Sequence, residues 1–376
     1  MSAPRSGPPP GVFPSQEIRA AIEAGHVSSS TVVDTSQVQP SSLDLSLAEE
    51  AYAVAGSMLP LAGEDVRTLA RRYARRVMDL AEPEVLVRGE VYVALLRESL
   101  DLPGDVAAYA NSKSSTGRID LQTRLLTAGN PRYDKVAPGY RGELWLEIIP
   151  KSFDVRVRAG DRLNQVILFR QRERLLPEAL ADLHRVSPLL WMPDGRPAAT
   201  EGWLTGNPDG LLMTLDLDQD IVGYVAKRSF RPIDVSRPGT LDASEYFDPI
   251  VRPSEGALFL SREAFYIFST YERIAVPPSM AVEMLPYDTS AGEFRAHYAG
   301  FFDPGFGYGE AGEVRGTPAV LEVRPYEDDL IVRHRQPVCQ MAYERVTALP
   351  DALYGVGVQS HYAHQRGPRL SKFFQL

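Results

Sequence analysis

Lys113-Ser-Ser-Thr-Gly-Arg118 puts two cations and two hydroxyls on a short stretch whose Gly117 lets backbone N–H groups turn toward an anion. That is phosphate-binding chemistry, with charge-assisted bonds from the cations and a nest of amides. Asp303 precedes Pro304-Gly305, where a turn can fix a carboxylate, although Asp-Pro-Gly is also an ordinary turn. Phe301, Phe302 and Phe306 stand beside it and can wall a flat ring or simply fill a core. Tyr362, Gln365, Arg366, Arg369 and Lys372 form a polar, basic C-terminal segment bent at Gly367-Pro368. Such a segment can close over a bound anion as a lid, or it can fray. Glu322, between Leu321 and Val323, is a carboxylate on a strand-like run; taken alone it reads as a solvent-facing strand residue.

Mostly strands must carry these groups. Val85-Leu-Val, Val91-Tyr-Val, Leu144-Trp-Leu-Glu-Ile-Ile, Val155-Arg-Val and Gln165-Val-Ile-Leu-Phe are separated by Gly- and Pro-bearing turns. Residues 1–13 are rich in Pro and Gly and read as disordered. A helix is expected from Ser15 to Gly25, with Ser15 as its N-cap. Asp65 to Leu80 reads as another, on the spacing of Val66, Leu69, Tyr73, Val77 and Leu80, with Arg71, Arg72, Arg75 and Arg76 as its solvated face. Leu175 to Arg185 looks helical inside a linker spanning 173–200, after which strands resume.

The two β regions repeat one another. Leu43-Asp44-Leu45 recurs as Leu215-Asp216-Leu217, Leu102-Pro103 as Val276-Pro277, and Pro138-Gly139-Tyr140 as Pro304-Gly305-Phe306. Glu147 recurs as Glu322 and Gln165 as Gln340, in the same order, with Gly309 to Thr317 as an inserted loop. Duplication follows, with copy one at 14–172 and copy two at 201–376. A length of 376 residues, 44% hydrophobic, suits two such domains.

A formal net charge of -9 and a pI near 5.3 argue against duplex nucleic acid or an anionic membrane as partner, while leaving room for a small anionic ligand. One cysteine, Cys339, permits no internal disulfide and suits a reducing cytoplasm. The opening MSAPRSGPPPGVFP lacks the apolar core of a signal peptide, and no run approaches the ~18 apolar residues of a membrane span. The six histidines show no metal-ligand spacing. A soluble, cytoplasmic protein is expected.

In order, several segments resemble the dCTP deaminase family of the dUTPase superfamily. Ser15-Gln-Glu-Ile-Arg-Ala-Ala-Ile-Glu-Ala-Gly25 resembles its N-terminal helix, and Gln39-Pro-Ser-Ser-Leu-Asp-Leu45 its QPxSxDL strand. Lys113 to Arg118 resembles its (R/K)SSxxR phosphate motif, and Gly160 to Phe169 its GxxIGQLxF strand. Ala299-Gly-Phe-Phe-Asp-Pro-Gly-Phe306 with Val320-Leu-Glu322 resembles AGFIDPGF…LE, and Tyr362 to Lys372 resembles YxxQxGPxxSR.

The resemblance implies two tandem dUTPase-like, distorted, jelly-roll-like β-barrels with a few short peripheral helices. It implies deamination of dCTP to dUTP and ammonia, a precursor for thymidine nucleotides. Glu322 would be the catalytic residue, and Asp303, Phe301 and Phe306 would hold base and sugar. Lys113, Ser114, Ser115, Arg118, Gln165, Tyr362, Gln365 and Lys372 would hold phosphates. Magnesium would come with the triphosphate, and homo-oligomers would have sites at domain or subunit interfaces. Zinc deaminases carry HxE followed by PCxxC, which a chain with one cysteine cannot supply; a shielded carboxylate can instead serve as base and then acid.

Departures from the pattern split it between the copies. Copy one has Ala137 where the family has aspartate; copy two has Tyr287-Asp-Thr-Ser-Ala-Gly292, without a cation, where copy one has its phosphate motif. Copy one is therefore expected to grip phosphate while copy two supplies the base pocket and tail. Lys372 replaces the family's final arginine, keeping charge but losing bidentate geometry. Tyr140-Arg-Gly-Glu143 leans toward the YRGE of dUTPases, but Ala137 in place of the aspartate argues against a dUTPase site in copy one. Ala299 to Phe306 of copy two resembles the form of some bifunctional relatives, so release of dUMP stays open, as does a non-catalytic nucleotide-binding regulator.

Overall fold

The computed structural model describes residues 8–200, 210–287, 300–358, 362–363 and 365–375. Strands dominate, and the helices are short: Ser15–Glu23, Val66–Tyr73, Ser114–Gly117 and Pro177–Val186. None is long and apolar enough to cross a membrane.

In copy one the strands run Leu121–Leu126, Arg141–Pro150, Val91–Asp101, Leu43–Val54, Arg162–Arg170, Ala107–Ser112 and Lys135–Val136 across one curling sheet. Alternation drives it: Leu43, Leu45 and Leu47 point one way into the core and are almost wholly buried. In copy two the same scheme is divided. Tyr266–Ile274 pairs with Ile221–Ala226 and Thr317–Val323, while Pro337–Arg345 pairs with Leu211–Thr214 and Met280–Pro286.

Hydrogen bonds establish the duplication and correct its register. The Ser46 N–H and hydroxyl donate to the Glu98 carboxylate; those of Thr214 donate to Glu272. The Leu102 N–H donates to Tyr140 O, and Val276 N–H to Phe306 O at 2.8 Å. Gln165 faces Asp44 across its ladder, whereas Gln340 faces Leu212. Leu43-Asp44-Leu45 thus corresponds to Leu211-Leu212-Met213, not to Leu215-Asp216-Leu217.

Two further expectations change. Residues 1–7 lie outside the described residues, but the rest of the expected disordered terminus is ordered. Gly11 pairs with Arg170 and Val12 with Phe169, and Val12 and Phe13 are buried. Gly11, at φ +137°, is required, because a Cβ there would meet Arg345 O at 2.6 Å. The helix expected over Asp65–Leu80 stops at Tyr73, and Ala74–Asp79 becomes a strand on Leu43–Val54, with Val77 opposite Tyr52. The long strand offers an unpaired edge, and its ladder outcompetes continued helix; Val77 ends up 71% exposed.

The copies share a core. Ile233, Tyr246, Phe247, Phe265, Leu370, Phe373 and Phe374 of copy two pack into the copy-one cluster. Ile233–Asp234 adds a parallel strand to Val155–Val157 of copy one. Arg172 bridges Glu283 and Glu344, and Arg324 pairs with Asp120.

Candidate active site between the two copies

A cavity of about 480 Å3 opens where the copies meet. Lys113, Ser114, Ser115, Arg118 and Gln165 reach it from copy one; Phe301, Asp303, Phe306, Glu322, Tyr362, Gln365 and Lys372 reach it from copy two. All twelve residues that the resemblance implies for the site are therefore brought to one place within a single chain, whereas Arg366 and Arg369 of the tail do not line it.

Glu322 lies on Thr317–Val323, a strand buried along its whole length, opposite Ile267. It is buried, not solvent-facing as the isolated strand pattern suggests, because copy one covers the outer face of its strand. Burial pushes its carboxyl up to about 8, against the pull of the Arg118 guanidinium and helped by Asp120. Arg118 Nε stands 4.0 Å from Glu322 Oε1.

Arg118 and Gln365 line the cavity, and Arg118 is also bonded to the tail. Arg118 donates to Arg369 O and to Gln365 Oε1, each at 3.0 Å, and its guanidinium lies 3.8 Å from the centre of the Tyr362 ring. Gln365 donates in turn to Pro318 O at 2.7 Å, on the Glu322 strand. Both side chains are buried, bonded to the tail or to the Glu322 strand, and line the cavity. Tyr362 likewise uses its hydroxyl to accept the Lys372 N–H at 3.1 Å.

The remaining phosphate candidates face the cavity. Lys113 pairs with Asp44. Ser114 is exposed, while Ser115 is buried and accepts the Ser371 hydroxyl on its carbonyl at 2.7 Å, pinning the tail to the motif. Gln165 accepts the Ser42 hydroxyl at 3.4 Å. Burial holds the Lys372 ammonium below the usual lysine range, helped by Lys113 and Arg162 and opposed by Asp44.

Asp303 is buried and accepts the Ser41 N–H at 3.0 Å and its hydroxyl at 2.6 Å. Burial pushes its carboxyl up to about 6 despite those bonds. The Phe302 ring meets Phe306 edge-on at 5.0 Å, and Phe306 packs on Tyr354 at 5.3 Å, forming an aromatic wall. Phe301 instead packs edge-on against Tyr109 of copy one at 5.8 Å while still touching the cavity. Ser41, Asp44, Arg158 and Arg162 were not singled out. Ser41 and Asp44 lie inside the quoted Gln39–Leu45 segment, which was the available signal. Cys339 lies in the copy-two core, where burial pushes its thiol up. Among the described residues no group of three or more His, Cys, Asp or Glu is placed to hold a metal. Residues 288–292 and Ala299 of the quoted segments lie outside the described residues.

Two family models match nearly end to end. The 2'-deoxycytidine 5'-triphosphate deaminase N-terminal domain matches residues 9–173, and the corresponding C-terminal domain matches 178–374. This chain belongs to the dCTP deaminase family. The crystal structure of 2'-deoxycytidine 5'-triphosphate deaminase from Agrobacterium tumefaciens is 37% identical, with a TM-score of 0.85, over 93% of this chain and 99% of that one. A Streptomyces avermitilis protein called dCTP deaminase, dUMP-forming, is 32% identical over 41% of this chain and 78% of its own length. A Thermobifida fusca protein of the same description is 31% identical over 41% of this chain and 75% of its own length.

Proposed function

We propose that this chain hydrolyses dCTP to dUTP and ammonia, feeding thymidine nucleotide synthesis, at a site shared by its two copies. The observation that carries the reading is Glu322, buried with its carboxyl near pKa 8, in the same cavity as the Lys113-Ser-Ser motif. A carboxyl tuned close to working pH both accepts and returns a proton, which deamination requires. Ionised Glu322 takes a proton from water as its oxygen bonds to the ring carbon bearing the amine. The same proton passes to the amine, the C–N bond breaks and ammonia leaves as the ring nitrogen's electron pair re-forms the C=N bond. The proton of the added hydroxyl then moves to that nitrogen, giving the uracil carbonyl. Arg118 favours the ionised form and fixes its position. Asp303 receives the sugar hydroxyl, the Phe302–Phe306 wall lies along the ring, and Lys113, Ser114, Gln165 and Lys372 take the phosphates.

Magnesium is proposed to arrive on the triphosphate. Asp44 keeps one buried oxygen without a hydrogen-bond partner, and that oxygen is the acceptor a cation on the phosphates would meet. A cytoplasmic setting and a homo-oligomer are part of the same proposal.

The second reading, release of dUMP, is favoured by the dUMP-forming description of the Streptomyces and Thermobifida relatives. One incubation with dCTP separates the two. Ammonia with accumulating dUTP supports the first; ammonia with dUMP and pyrophosphate supports the second. Nucleotide binding without ammonia would sink both.

A further inference from the structure

The cationic wall of the cavity does not end at the Lys113 motif. It continues onto the turn between Val155–Val157 and Arg162–Arg170, where Arg158, Gly160, Asp161 and Arg162 line the same space. The turn is held at four backbone donors. Ala159 N–H bonds to Leu80 O and Gly160 N–H to Leu47 O, both at 2.8 Å. Asp161 N–H bonds to Arg158 O at 3.1 Å, and the Asp161 carboxylate accepts the Arg158 N–H at 2.8 Å. The two arginines therefore project from a fixed frame. Arg162 donates to the Ser36 hydroxyl at 2.8 Å, and Arg158 is exposed.

The charged groups form a chain of electrostatic neighbours. Glu322 senses Arg118 and Asp120; Asp303 senses Asp44 and Lys113; Lys372 senses Lys113, Asp44 and Arg162. Arg158, Asp161 and Ser236 line both this cavity and a second hollow that Glu322, Asp303, Lys113 and Lys372 do not touch, so the turn stands on the side of the cavity away from the carboxylates. That smaller hollow, of about 220 Å3, carries Arg156 and Arg237 beside Asp234. Lys113 is already matched by Asp44, so Lys372, Arg158 and Arg162 leave this end with an excess of positive charge.

We infer that Arg158 and Arg162 bind the terminal phosphate of the nucleotide, so that this turn sets the phosphate-chain length the site accepts. The inference rests on the proposed nucleotide chemistry and adds residues to it. A base-and-sugar pocket at one end and a rigid pair of guanidiniums at the other measure the ligand between them, and a diphosphate falls short.

The experiment compares KM for dCTP and dCDP in wild type, R158Q, R162Q and the double variant, with ammonia as the readout. KM does not depend on the fraction of enzyme folded, so partial loss of structure does not imitate the effect. Each single change is expected to raise KM for dCTP about tenfold, the double change more, with KM for dCDP within about twofold of wild type. R162K is expected to recover part of the loss. An unmoved KM for dCTP, or equal rises for both nucleotides, overturns the inference. A wild type that releases no ammonia from any cytosine nucleotide sinks the proposed function instead. In that case calorimetric affinities of the same variants for dCTP and dCDP decide the arginine inference by the same ratio.

Discussion

Glu147 and Glu322 occupy the same position on the same strand of the two copies, facing Val93 and Ile267 respectively. Both are buried. Glu147 is bound by Arg124 at 2.9 Å and accepts the Tyr133 hydroxyl at 3.1 Å, with Arg124 lying over the Tyr133 ring. Glu322 has its guanidinium at 4.0 Å, and that arginine spends its hydrogen bonds on the tail. One duplicated carboxylate has become a satisfied structural ion pair; the other keeps a raised pKa and an open cavity. Reactivity after duplication therefore depends on the partners that close on a residue, not on the fold position it inherits.

The largest effect should separate these two residues. E322Q is expected to lower ammonia release by about a thousandfold, the size of a lost general base. E147Q should leave kcat within a few-fold and lower stability by roughly 2–3 kcal/mol, because the Arg124 charge is left partly buried without its partner. Steady-state kinetics beside chemical denaturation read both. Equal losses of activity would break the contrast.

Next comes pH. With its carboxyl pushed up to about 8, Glu322 should make kcat/KM rise about tenfold per unit below that pH and level off above it. Stability should move the other way. Between the unfolded value near 4.5 and about 8 the native protein binds more protons at this site than the unfolded chain, so stability falls as pH rises through that window. Asp303 adds the same sign between 3.8 and about 6. Melting curves of E322Q should lose the upper part of this decline, and E147Q should retain it. A Glu322 that titrates near 4.5, read from either profile, would contradict the assignment.

Much of this was legible in the sequence, and the misses have physical causes. Motif order identified the segments that carry Lys113, Asp303 and Glu322, and the split departures pointed to a site shared by the copies. The Leu-Asp-Leu match failed because its slip of four positions is an even number. An even slip keeps every side chain on its own face, and Leu215 and Leu217 are indeed as buried as Leu43 and Leu45. The Ser46–Glu98 and Thr214–Glu272 bonds and the ladder partners of Gln165 and Gln340 discriminate the registers. The bonds that tie Arg118 and Gln365 to the tail and to the Glu322 strand depend on how the tail packs, a long-range contact with no local signature. Arg158 and Arg162 flank a turn whose identity is fixed by its glycine, so nothing local distinguished them from solvated charges.

A smaller effect tests how copy one supports the copy-two pocket. S41A removes the hydroxyl bond to Asp303 and leaves the backbone one, so KM for dCTP should rise roughly threefold to tenfold at constant kcat. A fall in kcat without a change in KM would mean that Asp303 acts on the chemical step and not on the sugar.

The smallest expected effect is none, and it sharpens the comparison most. A137D restores to copy one the aspartate that its Pro138-Gly139 turn lacks relative to Asp303-Pro304-Gly305. If aspartate were the missing part, a second site would appear, with two nucleotides bound per chain and ammonia release rising accordingly. The Glu147 carboxylate, however, remains tied to Arg124 and Tyr133, and the copy-two counterpart of the phosphate motif, Tyr287 to Gly292, offers no cation. Calorimetry of A137D should therefore still give one nucleotide per chain, with kcat unchanged. A stoichiometry of two would show that the copies differ by one residue and not by the whole set of partners around each glutamate.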